Sequence, residues 1–268
     1  AHTVFNITMT LIWVCLIKLM VKIVMTLLPD GKKGVEDPGS PIYLDENIIS
    51  QPAAALQLVA KEIFRMSDQV RDILKKTIEL VKNEEVKSID GLKENGEQVE
   101  RLGKCITEYL AALFSSGSLT EQQAAQTASL MCVLSDVERM GTLSVEMAEC
   151  MLERSDRKYK YTPEAMDELQ KSLKVLNKMF CDSLKALQGD DGIEPGKMMK
   201  RKDKLLDLDI KMRKAHIERV NKGKCKASLT APFTNILHLI DRMGNSCINL
   251  ADVAESGTSM KYFMLENK

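Results

Sequence analysis

The stretch Asp136-Val137-Glu138-Arg139-Met140-Gly141 is echoed 103 residues later by Leu239-Ile240-Asp241-Arg242-Met243-Gly244. At the same offset Leu134 meets Leu237, Met147 meets Leu250, Ala148 meets Ala251 and Glu149 meets Asp252. A second register, offset by 110, aligns Leu56, Val59, Ile63, Met66 and Val70 with Met166, Leu169, Leu173, Leu176 and Phe180. These residues recur at three- and four-residue steps, the pattern of one apolar helix face. Self-similarity at a near-constant period marks a tandem duplication. The repeat therefore predicts an all-α fold in which a helix triplet occurs twice, as two three-helix bundles with a period of about 105 residues.

Outward from the repeat, the prolines set the limits. They stand at Pro29, Pro38, Pro41, Pro52, Pro163, Pro195 and Pro232, and the interval from Ala53 to Thr162 holds none, which suits long helices. Six helices are predicted, over 52–83, 95–114, 121–154, 163–188, 197–221 and 231–255. Thr120 followed by Gln123 reads as a capping box opening the third. Thr162-Pro163-Glu164 supplies an N-cap, a proline at the first helical position and an acid in the first turn of the fourth. No alternating strand pattern of useful length occurs. Bundle one is expected over 52–155, bundle two over 156–256, and a tail over 257–268.

The segment before them reads differently. Asp30-Gly31-Lys32-Lys33-Gly34 and Asp37-Pro38-Gly39-Ser40-Pro41 make 29–51 a linker. Val4 to Ile17 carries no charge, but fourteen residues span only about 21 Å, against roughly 30 Å of hydrocarbon. Lys18, Lys22, Lys32 and Lys33 lie on its C-terminal side, which the positive-inside rule makes the cytoplasmic one. The expectation is a truncated membrane helix over 1–28, with residues after about 29 in the cytoplasm.

Composition excludes several functions. The 38 basic and 38 acidic residues leave a formal net charge of zero, so no nucleic-acid partner is expected. Aromatics make up 4% of the chain, too few for base-stacking platforms. The seven cysteines include no CxxC pair, which removes a zinc ribbon and a thioredoxin-type centre and points to a reducing compartment. His2, His216 and His238 form no HExxH pattern, and no GxGxxG, Walker A or GxSxG element occurs, so no enzymatic activity is expected. Lys197, Lys200, Arg201, Lys202 and Lys204 open the fifth helix, but Asp203, Asp207 and Asp209 interleave with them, and the run reads as a solvated face. Gly141 and Gly244 fall inside long helices, where glycine costs about 0.8–1 kcal/mol relative to alanine. Close approach of a neighbouring helix is the physical reason expected for them.

The acid-Arg-Met-Gly element near the end of each triplet resembles the signature of PhoU proteins, phosphate-signalling regulators built from two three-helix bundles. The preceding segment is similar, in order and spacing, to bacterial sodium/phosphate cotransporters that carry a cytoplasmic PhoU-like domain. The residues concerned are Ala1-His2-Thr3-Val4-Phe5-Asn6, Leu28-Pro29-Asp30, Ile42-Tyr43-Leu44-Asp45, Gln51-Pro52-Ala53-Ala54-Ala55-Leu56 and Lys61-Glu62-Ile63-Phe64-Arg65-Met66. The resemblance implies a regulatory domain that modulates phosphate uptake or signalling by protein contact. It makes 1–28 the last membrane helix of a transport domain, truncated, in the inner membrane, with His2 and Asn6 as remnants of the transport core. The partners implied are the membrane, the missing transporter domain or a phosphate-signalling protein, with a homodimer as a further possibility. Family members carrying Glu/Asp-x-x-x-Asp bind iron- or zinc-type clusters. Here the fourth residue after Glu138 is Thr142, and after Asp241 it is Asn245, so each motif lacks one carboxylate. Glu138, Glu149, Asp241 and Asp252 are the residues left for a divalent or iron-type metal, and no cofactor is expected. Arg139, Gly141, Arg242 and Gly244 are assigned to packing. Two readings stand beside this one: a membrane-anchored helical signalling or scaffold protein with no transport link, and a metal-binding PhoU-like domain.

Overall fold

The computed structural model describes residues 5–7, 9, 10, 13, 16, 37–83, 89–155, 160–189 and 195–255. The chain divides into two compact units, Ala1–Asp37 and Pro38–Lys268. In the first, the described residues Phe5, Asn6, Ile7, Met9, Thr10, Trp13 and Leu16 are helical. Thr10 Oγ1 donates to the Asn6 carbonyl over 2.8 Å. The rest of 1–28, His2 included, and residues 29–36 lie outside the described residues, as does the 257–268 tail. Among the described residues no helix is long and apolar enough to cross a membrane. This corrects the expected transmembrane helix. Lys18 and Lys22 interrupt the apolar pattern, and a lysine at the middle of a span costs about 2.5–3.5 kcal/mol.

The second unit is all-helical among its described residues. Its helices are α1 (Pro52–Asn83), α2 (Asp90–Ser115), α3 (Glu121–Ser155), α4 (Pro163–Leu187), α5 (Pro195–Asn221) and α6 (Thr230–Glu255). Their starts follow local chemistry. At α3, Thr120 Oγ1 accepts from Gln123 N–H and the Gln123 side chain accepts from Thr120 N–H, the reciprocal capping box. At α4, Thr162 accepts from Ala165 N–H ahead of Pro163. Gly189, at φ 82°, closes α4 in the left-handed region that glycine adopts without strain.

Helices α1, α2 and α3 pack on one another, as do α4, α5 and α6, and the triplets join through α3 against α6 and α1 against α4. The result is an inner layer of α1, α3, α4 and α6, with α2 and α5 outside it. The apolar stripes read from the repeat form the core: Leu56, Val59, Ile63, Met66 and Val70 in α1 and Met166, Leu169, Leu173, Leu176 and Phe180 in α4 are all buried. Polar groups cross the same layer. Thr77 Oγ1 donates to the Ser144 carbonyl over 3.0 Å, and Asn249 Nδ2 donates to Asp136 Oδ1 over 3.2 Å, tying α6 to α3.

The segment read as a linker is fastened down from Pro38 on. Glu62 of α1 is fully buried. Its Oε2 accepts from the backbone N–H of Ile42 at 2.9 Å and of Tyr43 at 2.7 Å, and its Oε1 accepts from Arg65 Nε at 2.5 Å. Arg65 in turn donates to the carbonyls of Pro38 and Ser40, Gln69 donates to that of Pro38, and Tyr109 of α2 donates to that of Asp45. A buried carboxylate needs such partners. Glu62 therefore anchors residues 38–51 as a strap across α1 and α2.

Candidate functional site

Gly141 of α3 and Gly244 of α6 are both buried inside their helices. A Cβ on Gly141 would lie 3.3 Å from Val70 Cγ2 and 3.4 Å from Val99 Cγ1, so α1 and α2 both press on this turn of α3. A Cβ on Gly244 would lie 3.1 Å from Leu205 Cδ1, on α5. Both glycines thus sit at close helix approaches, Gly141 against α1 and α2 and Gly244 against α5. The neighbouring arginines do not share that role, since Arg139 and Arg242 are exposed.

The acids one turn before the glycines have different surroundings. Glu138 is half-buried over Gly103 of α2, where a Cβ would come within 3.2 Å of its Oε2. Burial, reinforced by the negative charge of Glu100, holds its carboxyl above the usual carboxylate range. Around it, α2 and α3 form a groove of about 700 Å³ lined by Glu97, Glu100, Arg101, Lys104, Thr107, Glu108 and Glu138. A smaller groove of about 350 Å³ shares Glu97 and Glu100 and is also lined by Thr142, Glu146 and Glu149. There Glu149 meets Lys93 Nζ at 2.9 Å. Asp241 behaves otherwise. Lys202 of α5 donates to its Oδ1 over 2.5 Å and to its backbone carbonyl over 3.1 Å, and Asn245 Nδ2 lies 3.5 Å from its Oδ2. Asp252 is exposed on the last turns of α6. The structure thus puts Glu138 and Glu149 in two adjoining grooves that share Glu97 and Glu100, while a lysine pairs with the Asp241 carboxylate.

These surroundings do not fit a multivalent cation. Thr142, in place of the second carboxylate, donates its hydroxyl to the Glu138 carbonyl over 3.2 Å, and Lys202 already neutralises Asp241. Among the described residues no group of three or more His, Cys, Asp or Glu is placed to hold a metal ion. Asn6, the described member of the His2 and Asn6 pair, is exposed on its helix. Sequence reasoning missed two groups that shape the site. Glu97 and Glu100, three residues apart on α2, signal a charged helix face but not which helix it meets. Lys202 sits in a run that reads as solvated.

Three comparisons show what this duplicated all-helical triplet is similar to. Residues 63–151 match the PhoU domain family. Over 209 residues the chain is 24% identical to the phosphate-specific transport system accessory protein PhoU homolog 1 of Thermotoga maritima, an alignment covering 77% of this chain and 88% of that protein. PhoU from Pseudomonas aeruginosa has a similar fold, with a TM-score of 0.67 at 13% identity, over 73% of this chain and 93% of that one. The family match and the alignment both show similarity to PhoU proteins, the first over residues 63–151 and the second over 209 residues. That relationship, together with the lack of a membrane-crossing helix among the described residues, overturns the expected placement in the inner membrane.

Proposed function

We propose that this chain regulates phosphate uptake or phosphate signalling by touching a component of a phosphate transport system, with no covalent chemistry of its own. The observation that carries the reading is the alignment along 209 residues to a protein named as an accessory of phosphate-specific transport. The α2–α3 groove is the contact face of this proposal. Glu97, Glu100, Glu138 and Glu149 line it, a pattern complementary to a basic surface. The finer form of the reading assigns the transporter to the sodium/phosphate cotransporter type, on the strength of the Ile42–Met66 segment.

The test is co-purification of the full chain with phosphate-transport components from cells that express both. Retention of the partner by the wild-type chain, and its loss on Glu97→Lys with Glu100→Lys, is the expected result. Equal retention by both forms contradicts the assigned face. Failure of the wild-type chain to retain any transport component contradicts the function.

A further inference from the structure

A groove of about 980 Å³ lies between the strap and the second half of α2. Local chemistry fixes its walls. Asp45 Oδ1 accepts from the backbone N–H and from the Nδ2 of Asn47, each over 2.9 Å, and so orders the short 3-10 turn Glu46–Ile48. Tyr109 donates to the Asp45 carbonyl over 2.8 Å, which ties that turn to α2. Glu62 holds the neighbouring Ile42 and Tyr43. The chain itself therefore builds both walls, and the groove is preformed.

Its floor is apolar and its rim acidic. Leu44 and Ile49 of the strap are half-buried, Tyr109 is buried, and Ala112 lies exposed on the α2 wall. Glu46 on the strap and Glu108 on α2, both exposed, face the groove from opposite walls, and none of its lining residues is Lys, Arg or His. Lys104 comes no closer to Glu108 than 3.9 Å, with both side chains well exposed. Such a pair neutralises little. Glu108 also lines the α2–α3 groove, together with Glu97, Glu100 and Glu138. The two grooves adjoin, and acids stand in both.

We infer that the strap groove anchors a basic segment of the partner. That segment plants one large apolar side chain between Leu44, Ile49 and Ala112 and sets Lys or Arg over Glu46 and Glu108. The inference rests on the proposed contact with a phosphate-transport component and names the chemistry of the part that makes it. Each feature has its own task. An apolar side chain entering a preformed groove supplies affinity with little ordering cost, as central interface anchors do. The glutamates attract a basic segment and repel an acidic one. Beyond the anchor, further basic residues meet Glu100 and Glu97 in the adjoining groove.

The experiment places the photo-crosslinking residue p-benzoylphenylalanine in the full chain, in cells that also express the phosphate-transport components. One form carries it at Ala112, in the strap groove, and a second at Thr142, in the α2–α3 grooves. Mass spectrometry identifies the joined peptides after irradiation. The expected result is an adduct from position 112 to a phosphate-transport component, at a large apolar residue with Lys or Arg close beside it. Glu46→Lys with Glu108→Lys, both at exposed positions, cuts that adduct by about ten-fold or more at unchanged circular dichroism. An adduct indifferent to the two lysines overturns the inference. So does one to an acidic or uncharged segment, or to a second copy of this chain. No adduct from 112 overturns it in every case. Adducts from 142, or retention of the partner on co-purification, then leave the proposed function standing, and failure of all three contradicts that function as well.

Discussion

Glu138 and Asp241 hold matching places in the two halves, yet the second half pairs its acid with a lysine, while the first sets its acid beside another carboxylate, Glu100. The glycines three residues on fix the equivalence, because Gly141 faces Val99 on α2 where Gly244 faces Leu205 on α5. On that offset of 106, Lys93, Glu100 and Lys104 of α2 correspond to Met199, Leu206 and Ile210 of α5. One outer helix therefore shows the solvent a charged face and the other an apolar one. The inner helices differ as well. Glu62 on α1 corresponds to Ser172 on α4, both fully buried, and only the glutamate has a strap to hold. The duplicated apolar stripes preserve the packing, while the polar positions beside them have diverged. The first half became an acidic groove with a strap, the second a neutralised acid beside an exposed apolar face.

The largest expected effect falls on the strap. Glu62→Ala leaves two backbone N–H groups and Arg65 without their buried acceptor, and should cost about 3 kcal/mol in denaturant unfolding. It should also open residues 38–51 to protease, and a variant as resistant as wild type would show that the strap does not depend on this carboxylate. Ser172→Ala, at the matching position of the other half, is expected to cost well under half as much.

Next in size is the lysine-paired acid. Asp241→Ala removes a charge-assisted bond from Lys202 and should destabilise by about 1.5 kcal/mol. Glu138→Gln should act in the opposite direction, stabilising by about 0.5 kcal/mol at pH 7, because it deletes a half-buried charge facing Glu100. The sign follows from its raised carboxyl. The folded state prefers the protonated form, so the native glutamate is best tolerated below the ordinary glutamate range of about 4.3, and that advantage disappears as pH rises through its higher folded value. The gain from glutamine should therefore shrink as pH is lowered toward 4. Equal and same-signed effects at Glu138 and Asp241 would dissolve the contrast between the halves.

Much of the helix pattern was legible because local chemistry specified it. The expected 52–83, 121–154 and 163–188 segments agree within a residue with α1, α3 and α4, where proline or a threonine cap marks the start. The start of α2 was placed five residues late. Its N-cap, Ile89, makes no side-chain capping bond, so no local signal announces it. The strap was not legible, since Pro38, Gly39 and Pro41 have the composition of a linker. What orders them is a carboxylate more than twenty residues away in sequence, whose burial no local pattern reveals. The Lys202–Asp241 pair spans 39 residues and escaped for the same reason. The apolar run near the N-terminus pointed to a membrane helix, but among the described residues no helix is long and apolar enough to cross a membrane.

The central claim, action on phosphate transport, is tested most directly by phosphate uptake. Radiolabelled phosphate influx would be compared in phosphate-replete cells of the source organism with and without this chain. The account predicts that removing the chain changes the influx rate, and that restoring wild type, but not Glu97→Lys with Glu100→Lys, returns it to the starting value. Influx identical in cells with and without the chain would contradict it.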